Sequence, residues 1–131
     1  MTSNCLCGKS KPHSQCCGLY LSGKQHAKTP EQLMRSRYCA YALGDYGEYL
    51  LSTWHPSMRQ NLTVESLSER LYDWVGLEIL TKSQQGDKGY VEFKAFYKIS
   101  TIDEINVLHE KSVFQRIAGR WYYLSADVSE N

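Results

Sequence analysis

Apolar side chains between residues 29 and 76 repeat with the period of an α-helix, which is about 3.6 residues. Thr29 and Pro30 suit the first turn of a helix, and Gly44 suits its end. The expected buried face of this helix consists of Leu33, Met34, Tyr38, Tyr41 and Ala42. A second helix is expected from Asp45 to Pro56. A third is expected from Thr63 through Leu67, Leu71 and Trp74, ending before Gly76.

After Gly76 the period becomes two residues, which is typical of β-strands. The expected strands cover residues 77–81, 90–100, 105–117 and 120–125, with turns at 84–89, 101–104 and 118–119. Short connections between successive strands favour an antiparallel meander. Three helices followed by such a sheet predict an α+β domain with the helices on one face of the sheet.

Charge and cysteine content divide the chain of 131 residues into a head and a body. Residues 1–37 carry six basic side chains and one acidic side chain, a balance of +5, and four of the five cysteines lie within residues 5–17. The remaining residues carry nine basic and thirteen acidic side chains, a balance of −4. A nearly neutral total of +1 argues against a general nucleic-acid binder. No apolar run approaches the roughly 18 residues of a membrane span, and no signal peptide is recognisable, so we expect a soluble, cytoplasmic protein.

The cysteines of the head are spaced as a C-x-C pair, an eight-residue gap and an adjacent pair. Four thiolates match the tetrahedral preference of structural zinc and leave no open position for catalysis. The head has almost no apolar side chains, so metal binding would have to supply its folding free energy. Gly8 and Gly18 follow the two pairs, where the backbone must turn, and Lys9, Lys11 and Lys24 would offset the negative charge of the centre.

Other uses of these cysteines are less favoured. Disulfides require an oxidising compartment, and the C-x-x-C spacing of redox pairs is absent. A site with three cysteines, in which His13 replaces Cys17, is chemically acceptable and stays open. Cys39 stands apart in the first predicted helix, where we expect a packed core thiol.

The head resembles the SEC-C motif, the zinc module named for the tail of the SecA translocation ATPase. The residues that match the pattern C-x-C-G-S-G-K-x-Y-K-x-C-C/H-G are Cys5, Cys7, Gly8, Cys16, Cys17 and Gly18, while Lys9 replaces the usual Ser and His13 the usual Tyr. The resemblance implies that Cys5, Cys7, Cys16 and Cys17 hold one structural Zn²⁺. The SecA tail contacts the chaperone SecB and the ribosome, which implies a protein or ribosomal partner.

Most of the chain is similar to the uncharacterised YchJ-like bacterial family. The segments that carry this similarity are Leu33–Tyr38, Thr53–Pro56, Val91–Ala95, His109–Phe114 and Gly119–Tyr123. The resemblance implies a SEC-C zinc module at residues 1–24, followed at residues 25–131 by a nuclear transport factor 2-like (NTF2-like) domain. In that domain, a curved antiparallel sheet and the helices packed on it form a cone. The same cone serves enzymes, binding domains and dimers, so it does not fix function.

Candidate pocket residues in the body are Arg35, Arg37, His55, Glu92, His109 and Glu110. Arg35 and Arg37 diverge by about 200° on one helix, so one of them can face a pocket. A glutamate that points into the cone, either Glu92 or Glu110, needs an arginine partner. The possible partners are Arg35, Arg37, Arg116 and Arg120. We expect Glu92→Gln to be destabilising for this reason, whereas Glu104 lies in a turn and its change to Gln is expected to be silent. His55 fits either a helix end or a catalytic base, and His109 either a cross-strand pair or a base.

Two functions from different classes follow from these residues. The first is a zinc-binding adaptor whose basic head contacts a protein or ribosomal partner and whose cone holds a small ligand or forms a homodimer. The second is a small-molecule enzyme that uses acid–base side chains in the cone. We favour the adaptor, because the sequence contains no recognisable catalytic set of a nucleophile, a base and a group that orients the base. A membrane partner is not expected, and a nucleic-acid partner is disfavoured by the lack of interleaved arginines and aromatics.

Overall fold

A computed structural model describes residues 4–99 and 102–130. Its α-helices are α1 (Cys17–Leu21), α2 (Pro30–Leu43), α3 (Gly47–Ser52) and α4 (Val64–Ser68). Its strands are β1 (Asp73–Gln85), β2 (Lys88–Ile99), β3 (Ile102–Ile117) and β4 (Arg120–Glu130). Short 3₁₀ turns cover His13–Gln15 and Pro56–Met58.

The four strands form one antiparallel sheet in the order β1-β2-β3-β4. This topology confirms the predicted meander and the α+β class. The strands are longer than the sequence pattern indicates, because β1 continues to Gln85, β3 already begins at Ile102 and β4 reaches Glu130. The predicted turn at 101–104 is therefore wrong for Glu104, which lies in β3, while residues 100 and 101 are outside the described residues.

Helix α2 has the ends that its sequence predicts. The Thr29 hydroxyl accepts a hydrogen bond of 3.1 Å from the Gln32 backbone N–H, which caps the first turn. At the other end Gly44 has a φ of +77°, a backbone conformation that favours glycine. The helix packs on β1, β2 and β4 and so spans the inner face of the sheet.

The second predicted helix is shorter than expected, because the chain after Ser52 joins the sheet. The backbone N–H of His55 donates to the Tyr123 carbonyl at 2.7 Å, and the Tyr123 N–H donates to the Thr53 carbonyl at 2.8 Å. Residues 53–55 therefore lie along the outer edge of β4 rather than continuing α3 to Pro56.

The third predicted helix is wrong beyond Ser68. The Thr63 hydroxyl caps α4 as expected, but Leu71 is 71% exposed and Trp74 belongs to β1. The Trp74 ring lies 5.1 Å from the Tyr97 ring and 6.1 Å from the Tyr38 ring, measured between centroids. These ring contacts favour a strand at Trp74, although its spacing from Leu67 and Leu71 fits a helix.

The core lies between α2 and the inner face of the sheet. The alternation in β2 is as predicted: Val91, Phe93, Ala95 and Tyr97 are buried, although Ile99 at the strand end is exposed. Four cysteines of the head belong to the same buried cluster as Leu33 and Phe114 of the body. The boundary at residue 24 stays a prediction. The sulfurs of the head help to fill the main core, so head and body share one buried cluster.

Gly47 provides a test of the packing between α3 and α4. A Cβ atom at this position would lie 2.0 Å from the Val64 carbonyl oxygen, a backbone atom that cannot move alone. We expect Gly47→Ala to lower the free energy of unfolding by about 2–3 kcal/mol in urea titrations. The control is Gly76→Ala in β1, where the nearest contact would be an ordinary 3.4 Å from the Phe96 ring, and a loss below about 1 kcal/mol is expected. Equal losses would contradict the close approach of α3 to α4.

Candidate functional site

The four cysteines of the head converge on one point. A tight loop brings Cys5 and Cys7 together: the Cys5 N–H donates to the Lys11 carbonyl at 2.7 Å, and Gly8 turns the chain with a φ of +97°. Gly18 serves a different purpose from the one predicted. It lies in α1, where a Cβ atom would stand 2.6 Å from the His13 carbonyl oxygen.

The resulting cluster fits a zinc ion. All four sulfur atoms lie within 4.8 Å of one another and all four side chains are buried. The Sγ atoms of Cys7 and Cys16 are 3.6 Å apart, close to the edge of about 3.8 Å in a tetrahedron with Zn–S bonds of about 2.3 Å. Burial raises the pKa of the Cys16 thiol to about 11, and the neighbouring Cys7 sulfur adds to this effect. A divalent cation would relieve this cost of holding several thiolates together.

His13 and Cys39 lie at the side of the four-sulfur cluster. The Cys5 sulfur is 3.8 Å from Nδ1 of His13 and 3.6 Å from the Cys39 sulfur, and these three groups form a second, overlapping set. In the described part of the chain, His13 completes no ligand set with Cys7 and Cys16, which disfavours the alternative with His13 as a ligand. Cys39 is a buried core thiol, as expected, and it contacts the cluster.

Arg35 joins the cluster to the body. Its Nη1 donates a hydrogen bond of 2.5 Å to the Cys7 carbonyl, and its Nε donates one of 2.8 Å to Glu31. Burial opposes ionisation of Glu31, but hydrogen bonds from Lys82 and Arg35 outweigh it and lower the pKa of that carboxyl. The sequence predicted that Lys9, Lys11 and Lys24 offset the negative charge of the four thiolates. Lys9 is exposed, however, and it is Arg35 from α2 that contacts the cluster through the Cys7 carbonyl.

A cavity of about 270 Å³ lies between α2 and the inner face of the sheet, and Arg35 does not line it. Its walls are mostly aromatic and include Tyr38, Tyr41, Trp54, Trp74, Phe93 and Phe114. The charged side chains that line it are Arg37 and Glu110. This cavity is the pocket of the predicted cone. Of the six candidate pocket residues, Arg37 and Glu110 line it.

Arg37 is buried beside this cavity, where its guanidinium contacts two adjacent aromatic rings. Its Nη1 donates to the Leu50 carbonyl at 2.8 Å and to the Thr53 hydroxyl at 2.6 Å. Its Cζ lies 4.8 Å from the ring centroids of both Trp54 and Tyr123, a double cation–π contact. Burial lowers the pKa of the guanidinium, and these contacts compensate for part of the lost hydration.

Glu110 is the carboxylate that faces the cavity. It pairs across the sheet with Phe93, so both side chains lie on the inner face. Its Oε2 accepts hydrogen bonds from the Ser112 hydroxyl and, at 3.1 Å, from the Tyr123 hydroxyl. Burial and then the neighbouring Glu110 raise the pKa of Tyr123, which therefore keeps the proton that it donates.

Glu92 points to the opposite face of the sheet, so the expected inward Glu92 is wrong. It pairs with Lys111, and its Oε2 lies 2.6 Å from Nε2 of His109, with both side chains partly exposed at 25% and 31%. The pairing of His109 across the strands is confirmed. Among the described residues, no arginine forms an ion pair with Glu110. Its carboxylate is instead stabilised by hydrogen bonds from the Ser112 and Tyr123 hydroxyls.

His55 and Arg35 also do not line the cavity. The Nδ1 atom of His55 accepts hydrogen bonds from the N–H and hydroxyl of Ser57, and Nε2 lies 2.7 Å from Oε1 of Gln115. The tautomer that satisfies these bonds carries its proton on Nε2. His55 thus caps the turn at Pro56–Met58, which is the helix-end role that the sequence left open.

The sequence does not indicate that Trp54 and Tyr123 meet at the cavity. They are distant in sequence and meet only because residues 53–55 pair with β4, with ring centroids 5.1 Å apart. The high tyrosine content was the available signal, but it does not indicate which rings converge.

Comparison with known proteins gives the chain a family. Residues 29–126 match the family model described as "YchJ, middle NTF2-like domain". A UPF0225 protein of Shewanella sp. (strain MR-4) is 42% identical over 92% of this chain and 77% of its own length. A UPF0225 protein of Yersinia pestis (strain Pestoides F) is 38% identical over 95% of this chain and 82% of its own length. This chain belongs to the YchJ-like family.

Solved structures agree with the YchJ-like fold. The solution structure of a SEC-C motif containing protein from Rhodopseudomonas palustris superposes with a TM-score of 0.86 at 36% identity, covering 95% of this chain and 98% of that one. The crystal structure of a SEC-C motif containing protein from Psychrobacter arcticus gives 0.80 at 31% identity, covering 97% and 83%. Both agree with an NTF2-like fold that follows a cysteine-rich head. In the described ranges, no helix has the length and apolar character needed to span a bilayer.

The double cation–π contact of Arg37 leads to a prediction about stability. Arg37→Lys keeps the charge but removes the planar guanidinium that contacts two rings and donates twice from Nη1. We expect a loss of about 2–4 kcal/mol in urea unfolding. The control is Arg59→Lys, since Arg59 is only partly buried and its Cζ lies 6.0 Å from the Tyr122 ring. There we expect a loss of about 1 kcal/mol or less, and equal losses would contradict the special position of Arg37.

Proposed function

We propose that this YchJ-like protein is a zinc-stabilised adaptor. One Zn²⁺, held by Cys5, Cys7, Cys16 and Cys17, would fasten the head to the NTF2-like body. The exposed basic surface of the head would contact an acidic partner, either a protein or the ribosome. The single observation that carries the proposal is the convergence of four buried thiols within 4.8 Å.

Burial of the thiols supports a structural rather than a catalytic role for the metal. Four protein sulfurs would fill a tetrahedral site, and no coordination position would remain for water or substrate. The sulfurs also contact the body, since Cys39 of α2 lies 3.6 Å from Cys5. Metal binding would therefore stabilise both the head and the adjoining core.

The distribution of exposed side chains supports a partner for the head. Lys9, Lys11, Lys24 and Lys28 are exposed, and Leu6 between the first two cysteines is 49% exposed. Basic side chains around one apolar side chain suit an acidic surface with an apolar spot. Arg35 does not belong to this surface, because it is committed to Glu31 and the Cys7 carbonyl.

The enzyme alternative has less support than the adaptor. Of the acid–base candidates His55, Glu92, His109 and Glu110, only Glu110 lines the cavity. A single carboxylate can act as a base. Its titratable neighbour Tyr123 keeps its proton, because burial and Glu110 raise the pKa of that hydroxyl, and none of the other three acid–base candidates lines the cavity to complete a proton relay.

The metal is the first part of the proposal to test. Purified protein is expected to contain one zinc per chain by elemental analysis, and Cys16→Ser to abolish binding. Cys39→Ser is the matched control, and it is expected to keep the metal. Chelation is expected to lower the melting temperature of the whole protein by several degrees, because the thiols belong to the main core.

Two results would contradict the metal assignment. Zinc content near zero in protein prepared without chelator would remove the metal from the proposal. Loss of zinc from Cys39→Ser would mean that the ligand set is Cys5, His13 and Cys39 instead. A third result would contradict only the role of the metal in joining head and body: chelation that disorders residues 4–24 and leaves the melting of the sheet unchanged would mean that the head folds independently.

The partner is tested with a charge-reversed head. The test variant carries Lys9→Glu and Lys11→Glu in the head. The control variant carries Lys88→Glu and Lys111→Glu, which reverse two exposed charges of the body. Co-sedimentation with purified ribosomes and titration with SecB form the two arms. We expect binding in one arm that weakens steeply with salt and falls about tenfold or more in the head variant only. No binding in either arm, or equal loss in both variants, would refute the adaptor while leaving the zinc site untouched.

A further inference from the structure

We propose that the cavity beside α2 binds a neutral, flat aromatic molecule of about two fused rings, whose hydroxyl or N–H group donates a hydrogen bond to Glu110. This inference concerns the body alone. It goes beyond the adaptor function and does not depend on the partner of the head.

The size of the cavity sets the size of the ligand. A dry apolar cavity of about 150 Å³ accommodates benzene, and this cavity of about 270 Å³ is nearly twice as large. Two fused rings therefore fill it, whereas a single ring would leave unfilled space and lose dispersion contacts.

The walls of the cavity favour an aromatic ligand over an aliphatic one. The rings of Trp74, Tyr38 and Phe93 face the space from α2 and two strands, while Trp54 and Phe114 line it from other sides. Aromatic rings gain most from edge-to-face or offset contacts with other rings. A flat aromatic molecule can make such contacts on several sides at once.

Glu110 determines the polar group of the ligand. Both hydrogen bonds that it receives from described residues, those of Ser112 and Tyr123, end on Oε2. No hydrogen bond between described residues ends on Oε1, and the side chain lines the cavity. A carboxylate oxygen only accepts, so a complementary ligand must donate.

The charges at the cavity favour a neutral ligand. Arg37 supplies one positive charge and Glu110 one negative charge, so the lining is balanced without a ligand. A charged ligand would leave one buried charge without compensation, which is unfavourable in an apolar site. An anion is further disfavoured because two rings and two hydrogen-bond acceptors already contact the Arg37 guanidinium.

The test uses two probes with the same ring system that differ in one hydrogen-bond donor. 2-Naphthol has a hydroxyl group, and in 2-methoxynaphthalene a methyl group replaces the hydroxyl hydrogen. Titration calorimetry on the full chain is expected to give about tenfold or tighter binding of 2-naphthol, because a hydrogen bond to a charged acceptor is made only with that probe. In Glu110→Gln the advantage of 2-naphthol is expected to shrink, because a neutral amide oxygen accepts more weakly than a carboxylate, with little change for 2-methoxynaphthalene.

Glu92→Gln is the matched control, because Glu92 lies on the outer face of the same sheet and is expected to leave both affinities unchanged. Leu108→Trp, which places a large side chain at a cavity-lining position, is expected to abolish binding of both probes. Circular dichroism verifies that each variant is folded. If Glu110→Gln does not fold, the comparison of the two probes on the unmodified protein still decides the proposal.

Several outcomes would overturn the inference. Absence of saturable binding by either probe would mean that the cavity is not an aromatic site. Equal affinities of the two probes for the unmodified protein would remove the role of Glu110. Tighter binding of 2-naphthoate or of a naphthylmethylammonium ion than of 2-naphthol would refute the neutral class.

Discussion

Side chains two positions apart on a helix point in nearly opposite directions, and both candidate sites of this protein depend on that constraint. Arg35 and Arg37 leave α2 about 200° apart. Arg35 reaches the cysteine cluster through the Cys7 carbonyl, whereas Arg37 enters the aromatic side of the cone. One helix thus anchors the head with one cation and closes the cavity with another, and a small rotation of α2 would disturb both.

The cysteine cluster is part of the body's packing as well as of the head. Cys39 comes from the middle of α2, and its sulfur contacts that of Cys5 in the head. On the same helix Leu33 and Met34 pack in the same buried cluster as the head's sulfurs. The head therefore covers core residues of the body that would otherwise meet solvent, which explains why so small and polar a segment can have buried side chains.

The sequence pattern predicted the strands and the convergence of the four cysteines better than it predicted the cavity. Alternation in β2 is governed by burial of one face, so Phe93 and its neighbours identified the inner face. That same alternation implied an outward Glu92, and the expectation of an inward Glu92 gave too much weight to its need for a partner. The spacing of Trp74 was compatible with a helix, and only contacts with distant rings decided for a strand. Arg35 and Arg37 were both candidates for the pocket, and the sequence could not decide between them, because Tyr123, which contacts Arg37, is far along the chain.

The segment at residues 53–55 also affects how the protein behaves beside copies of itself. Unpaired edge strands can join the sheet of another molecule, and natural proteins block them with covering segments or charged side chains. Here the β4 edge is covered where His55 and Thr53 bond to Tyr123, while the β1 edge carries the exposed Lys82. The two edges are thus protected by different means, one by backbone pairing and one by charge. Only the second kind of protection weakens as ionic strength rises, so salt exposes the β1 edge to other molecules more than it exposes the part of β4 that residues 53–55 cover.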